Sequence, residues 1–271
     1  MLRSLWTAAT GMIAQQTNVD TIANNLSNVN TVGYKTEVAE FKSLLYQNLQ
    51  TRTTSANGEN KPIGAQVGLG VRNSSITSIF RQGSLLESSS TSAFAIDGKG
   101  FFGVQGDDGQ TYYTRNGNFN WALGANGLTL TTSDGLPVLD TTGKPIVLNG
   151  NYASSSITIS TDGTICYPDA SNNPQSLGIT VGLFQFQNPA GLDKLDSSLY
   201  GVTNASGAVI NESTATNIQK SKVVQGYLES SNVQVADEMV NLIVAQRAYE
   251  MNSKAITASD EMLQQANNLR R

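Results

Sequence analysis

Apolar side chains recur at helical spacing at both ends of the chain and at strand spacing between glycine turns in the middle. From the N-terminus, steps of three and four alternate through Leu2, Leu5, Ala9, Met12, Gln16, Val19, Ala23, Leu26 and Asn30. Trp6, Ile13, Ile22 and Val29 widen this stripe, which predicts an amphipathic helix. Its far face carries Gly11, Gln15, Asn18 and Asn25, and with Asn28 these make a run rich in amides. Between Ser4 and Tyr34 the only charge is Asp20. Gly33 offers a helix stop, and with Tyr34 it marks the turn into the next segment. The C-terminal segment repeats the design. Val235, Leu242, Tyr249, Ile256 and Leu263 recur every seven residues, with Ile243 beside Leu242. The alternate seam positions Met239, Gln246, Ser253, Asp260 and Asn267 are mostly polar, which costs stability but fixes register and partner.

Between the helical ends, glycine turns come at Asp97-Gly98, Asp108-Gly109, Asn116-Gly117, Asn126-Gly127, Asp134-Gly135, Thr142-Gly143, Asn149-Gly150 and Asp162-Gly163. β-formers such as "FFGV", "TYYT", "SITIS" and "ITVGLFQF" fill the intervals, the rhythm of short antiparallel strands. The expected fold is therefore α+β, with N- and C-terminal helices forming a coiled-coil-like domain around a central all-β domain. Residues 1–34 form the first helix, paired with 232–271 in an inner helical domain. Residues 35–70 make an extended arm or loop, 71–227 the β domain, and 228–271 the closing segment and helix. Long helices with half-polar seams are marginal until something covers their stripe. Periodicity leaves open whether that cover is the other end of the same chain or another copy.

Composition narrows the function more than the fold. Charged residues make up 14% of the 271 positions, against roughly 25% in an ordinary soluble domain. The formal net charge is −4, so no basic surface is offered to nucleic acid or anionic lipid. A weakly charged polar surface tolerates close packing against copies of itself. There is no histidine, which removes the commonest general base, metal ligand and nucleophile activator. The single cysteine, Cys166, can form neither an internal disulfide nor a thiolate cluster, and reads as a small half-buried strand residue. The first thirty residues hold no continuous apolar core of a cleaved signal peptide. No apolar run reaches the roughly 18 residues of a membrane span.

Motifs that suggest chemistry are weak. "GAQVGLG" (Gly64 to Gly70) has no Walker lysine and no strand-to-helix setting, so flexible or extended backbone is the better use. "GDDGQ" (Gly106 to Gln110) lacks the spaced ligands of a calcium loop and reads as a hairpin turn. Asp97, Asp134 and Asp162 each precede glycine, as turn residues do. No catalytic residue, metal ligand or cofactor site is expected.

Three long stretches carry a resemblance. "TGMIAQQTNVDTIANNLSNVNTVGYK" (Thr10 to Lys35) resembles the N-terminal signature of the bacterial flagellar rod and hook protein family. "AIDGKGFFGV" (Ala95 to Val104) followed by "YTRNGNF" (Tyr113 to Phe119) resembles its middle-domain pattern, and "GYLESSNVQVADEMVNLIVAQRAYEMNSKAI" (Gly226 to Ile256) its C-terminal signature. The likeness covers nearly the whole chain in order. Within the family it is strongest to the distal rod branch, whose members carry an extra stretch after the first helix and its extension. Here Tyr46 to Gly70 occupies that place, by length and position rather than by residue identity. The proximal rod and hook branches share the terminal signatures.

The resemblance implies a structural subunit that self-assembles in many copies into a helical tube. The terminal helices would form the inner wall and the β domain the outer wall. The tube would transmit torque from motor to hook and enclose an export channel. Implied partners are other copies, proximal rod proteins, hook protein, surrounding ring proteins and the flagellar type III export apparatus. Implied localisation is the basal body in the cell envelope, reached without a cleaved signal peptide. The helical core between subunits would use Leu2, Leu5, Trp6, Met12, Val19, Ile22, Leu26, Val29, Val235, Met239, Leu242, Ile243, Tyr249, Ile256 and Leu263. Gln15, Asn18, Asn25 and Asn28 would face the channel or join neighbouring copies. The rival from another class is an adhesin-like surface-binding β protein whose ends merely cap it.

Overall fold

The computed structural model describes residues 2–50, 65–124, 127–150, 152–169 and 173–269. The chain divides into two compact units. One gathers the first helix, Glu37–Ser78 and the chain from Gln234 onward; the other comprises Asn28–Thr36 and Ile79–Val233. An N-terminal helix, a mostly β central region and a C-terminal helix thus follow one another along the chain.

The helical unit is built on α1 (Leu2–Ser27) and α2 (Val235–Asn268). Thr7, Thr10, Thr17 and Thr21 each donate the hydroxyl to a carbonyl three or four residues back, the local bond a threonine within a helix makes. Helix α1 stops at Ser27, earlier than the glycine at 33 suggests. The Asn28 carbonyl accepts from the Thr31 amide at 3.1 Å and its side-chain oxygen from the Thr31 hydroxyl at 3.0 Å, so a local turn outcompetes the next helical turn. Asp237 and Glu238 sit in the first turn of α2, where negative charge favours the helix.

Four strands complete this unit: β1 (Glu37–Ser43), β2 (Tyr46–Gln50), β3 (Ala65–Gly68) and β4 (Val71–Ser78). β1 pairs antiparallel with β4 from Glu37 opposite Ser78 to Ser43 opposite Val71, and β2 with β3 from Tyr46 opposite Gly68. The Leu44 amide donates to the Gly70 carbonyl at 2.9 Å, carrying the pairing across the junction. Among the described residues of the stretch expected as an extended arm or loop, 37–43, 46–50 and 65–68 are laddered strand, and Val71–Ser78 groups with the helices rather than with the β domain. Each strand's partner lies far along the sequence, beyond the reach of local pattern. The expected loop over residues 51–64 lies outside the described residues.

The β unit centres on a six-stranded antiparallel sheet in the spatial order Asp193–Lys194, Leu199–Gly201, Thr111–Thr114, Phe101–Gln105, Leu183–Gln185, Ile210–Asn211. Alternation along "FFGV" splits the core. Phe102 and Val104 enter a cluster with Phe94, Phe119, Leu130 and Ile165, while Phe101 turns to a second one with Tyr113, Phe186 and Tyr200. In the second cluster the rings meet edge to face, at 4.9 Å between Tyr113 and Phe186. The Gly106-to-Gln110 segment is a hairpin turn, closed by the Gly106 amide donating to the Gln110 carbonyl at 2.8 Å. Cys166 is a half-buried free thiol within strand Thr164–Pro168.

Candidate self-assembly surface

Helices α1 and α2 meet along a seam of small and polar residues. The Ser4 and Ser259 hydroxyls lie 3.4 Å apart, Gly11 faces the Asn252 side chain, and the Asn25 amide donates to Glu238 at 3.4 Å. The contacts advance by sevens on α1 and retreat by sevens on α2, so the helices run antiparallel. A Cβ at Gly11 would stand 2.9 Å from the Asn252 amide nitrogen; its absence lets the helices approach. Ala8, Ala14, Ala245 and Ser259 are buried on these helices.

Asn25 fixes the first helix to the first strand. Its Nδ2 donates to the Glu37 carbonyl at 2.8 Å and its Oδ1 accepts from the Glu37 amide at 2.9 Å, reproducing one rung of a β ladder with a side chain. At 1% exposure its side chain is engaged inside this unit rather than presented on its surface, where the expectation had it facing outward. A buried amide must find both donor and acceptor partners, and the backbone of β1 supplies them. Ile22 is likewise buried within the unit rather than presented outward.

Because small residues fill the internal seam, large apolar ones are left outside. Trp6 is 71% exposed, Ile13 66% and Ile243 56%, and Val235, Met239, Val240, Val244, Tyr249 and Met251 are exposed as well. Leu5, Met12, Val19, Leu26, Leu242, Ile256 and Leu263 are half-buried, as are the amides Gln15 and Asn18. In the other unit Asn28, Val29 and Tyr34 are half-buried. The side chain of Leu2 lies outside the described residues. Val240, Val244 and Met251 were missed by the strict heptad; their signal is a second stripe, offset from the first, in "MVNLIVAQRAYEM". Apolar side chains at this density on a helix face are unusual for a surface that stays wet.

The β unit contains a charged cluster that sequence reasoning missed. Glu229, 1% exposed, accepts from Lys35 Nζ at 2.6 Å, from an Arg115 Nη at 3.2 Å and from the Gly83 amide at 2.9 Å. Lys35 also donates to the Arg81 carbonyl at 2.9 Å, and Arg115 to the Gly98 carbonyl at 2.6 Å. Burial pulls the Lys35 ammonium and the Arg115 guanidinium below their ordinary pKa, and the Glu229 charge opposes that shift in both. Gly33, at φ +72°, donates its amide to the Glu229 carbonyl, and a Cβ there would stand 2.7 Å from the Arg115 carbonyl carbon. Asn232 accepts from the amide and the hydroxyl of Thr36 at 2.7 and 2.8 Å. Lys35, Arg115 and Glu229 come one from each of the three signature stretches, so the fold joins by charge what the sequence holds nearly two hundred residues apart.

Among the described residues no group of His, Cys, Asp or Glu is arranged to hold a metal ion, and no helix is long and apolar enough to cross a membrane. The comparisons with known proteins fall on the same segments. Residues 5–35 match the family described as flagella basal body rod protein, 95–167 the flagellar hook protein FlgE/F/G D1 domain, and 224–269 the flagellar basal body rod FlgEFG protein C-terminal. These define a structural protein of the flagellar rod and hook class. Over full length the chain is 45% identical to the flagellar basal-body rod protein FlgG of Borreliella burgdorferi, with all of both chains covered. It is 42% identical to that of Agrobacterium fabrum over 96% of this chain and 97% of the relative, and 38% identical to that of Bacillus subtilis over all of both. The chain belongs to the flagellar basal-body rod protein family.

Proposed function

We propose that the protein is a structural subunit of the distal rod, and that its copies pack into a helical tube through the exposed apolar faces of α1 and α2. The observation that carries this reading is the mismatch between the helices' internal seam, which is small and polar, and their outer faces, which hold Trp6, Ile13, Met239, Val240, Ile243 and Val244. In a tube every copy covers its neighbour's stripe, and the helices pack in a coiled-coil-like wall. The laddered strands within residues 37–50 and 65–78 stiffen the wall, as a shaft transmitting torque from motor to hook requires. An inner surface offering uncharged amides such as Gln15 and Asn18 does not trap a passing chain of either sign. The protein works as a scaffold rather than as an enzyme. Its partners are proximal rod proteins, hook protein, the surrounding rings and the type III export apparatus, in the periplasmic part of the basal body.

The test is Ile243→Asp, with Trp6→Asp as its counterpart on α1. A side chain of this size contributes about 1.5–3 kcal/mol on full burial, and a polymer repeats the loss at every copy. Rods should be absent from isolated basal bodies while the purified monomer keeps the circular dichroism of the parent. Normal rods in both variants would remove these faces from the interface.

A further inference from the structure

The β unit carries an open cavity of about 690 Å³ whose charge runs against that of the chain. Its lining includes Arg81, Lys99, Arg115, Lys220 and Lys222 against a single carboxylate, Asp97. Five of the 17 lysines and arginines thus meet around one cavity in a protein of net charge −4. Four of the five are exposed; Arg115 is 3% exposed, and its Nε–H is buried without an acceptor. One Nη donates to Glu229 and the other to the Gly98 carbonyl, so the Nε–H is a buried donor left over at a site where cationic side chains gather. A buried donor without a partner carries a desolvation cost, which an arriving oxyanion would offset.

We propose that this cavity binds a carboxylate presented by a second copy of the chain, and that the partner segment is the Asp107–Asp108 hairpin tip. This rests on the reading that copies assemble. Two observations favour a protein segment over a free ion. The volume falls within the roughly 300–1,000 Å³ of pockets that enclose whole ligands, far more than one inorganic anion fills. Asp107 and Asp108 are the only adjacent carboxylates in residues 79–233, and both are exposed on the turn between Phe101–Gln105 and Thr111–Thr114. The Tyr112 hydroxyl and the Gln110 amide donate to Asp108 at 2.7 and 3.0 Å and hold its carboxyl below the usual range, so it stays ionised. Cavity and tip occupy different surfaces of one sequence, the head-to-tail contact that generates an open helical polymer.

The experiment uses cells whose only copies carry Cys166→Ser. One chain bears Lys220→Cys and a second, co-expressed, bears Asp107→Cys. A mixed disulfide dimer in isolated rods, absent when either chain is expressed alone and lost on reduction, is expected. In parallel, Lys220→Glu and Asp107→Lys should each reduce swimming, and the combination should recover it. Rods that assemble normally without the mixed dimer, together with silent charge reversals, overturn the proposal. A free oxyanion is tested on the soluble full-length protein with inorganic phosphate at constant ionic strength. Saturable phosphate binding lost in Lys99→Gln/Lys220→Gln, with no cross-link in cells, assigns the cavity to a small anion and overturns the second-copy occupant. The rod reading fails separately, if cells lacking the chain altogether still build rods.

Discussion

Replacing Glu229 with leucine should unfold the β unit far more readily than a change of one side chain suggests. The substitution leaves Lys35 and Arg115 buried, at 1% and 3% exposure, without the carboxylate that bonds both. It also strips the Gly83 amide of its acceptor. Breaking a buried ion pair by removing one partner costs about 3–5 kcal/mol, because the surviving charge remains out of water. Against the roughly 5–15 kcal/mol that holds an ordinary domain together, this is a large share. For a unit of this size each kcal/mol moves the midpoint by about 2–4 °C, so a fall of about 6–20 °C is expected. The assay exploits the tryptophans. In a Trp6→Phe background the only other one, Trp121, reports on the β unit alone, so urea unfolding followed by its fluorescence separates that unit from the helices. Adding Lys35→Met should return part of the loss, since one unpaired cation is then gone. The double variant should be at least about 1 kcal/mol more stable than the two single effects summed. A cost for Glu229→Leu below about 1 kcal/mol, or strict additivity with Lys35→Met, would refute the argument that the cluster is coupled by charge.

Two further outcomes follow from the same geometry. Asn25→Ala removes both bonds to the Glu37 backbone, at about 0.5–1.5 kcal/mol each, so about 1–3 kcal/mol of local stability should go. Hydrogen exchange would read it as faster exchange at Glu37 and along α1, with the β unit unchanged. Lys35 supplies a pH signature. Its folded pKa lies below the ordinary 10.5, so between the two values the unfolded chain binds more protons and stability rises with pH. The stability difference between the parent and Lys35→Met should therefore shift in favour of the parent as pH approaches 10.5; a difference flat across the alkaline range would contradict the assigned direction.

Much of the architecture was legible because it is local. Periodicity marks both helices, since a stripe at 3.6-residue spacing needs no partner to be recognised, and the Asp-Gly and Asn-Gly pairs mark the β region because left-handed turns select those residues. Helix α1 was read too long because the competing bond, Thr31 to Asn28, is a side-chain event rather than a periodic one. The strands of residues 37–50 were read as an arm because their partners lie at 65–78. The exposed Trp6, Met239, Ile243 and Tyr249 lay on the predicted stripe, whereas Val240 and Val244 required knowing which helix face the seam consumes.

The sequence by itself determined the two amphipathic helices, the turn-rich β middle, the absence of histidine chemistry and the family likeness, all properties carried by neighbouring residues or by long ordered stretches. Tertiary structure alone decided that the small and polar residues Ser4, Gly11, Asn25, Glu238, Asn252 and Ser259 face inward between the helices, that Lys35, Arg115 and Glu229 share one buried site, and that five cations surround one cavity. The reason is physical. A heptad reports which residues share a face but not what that face meets, and attraction between charges depends on distance in space, which the order of residues along the chain does not contain.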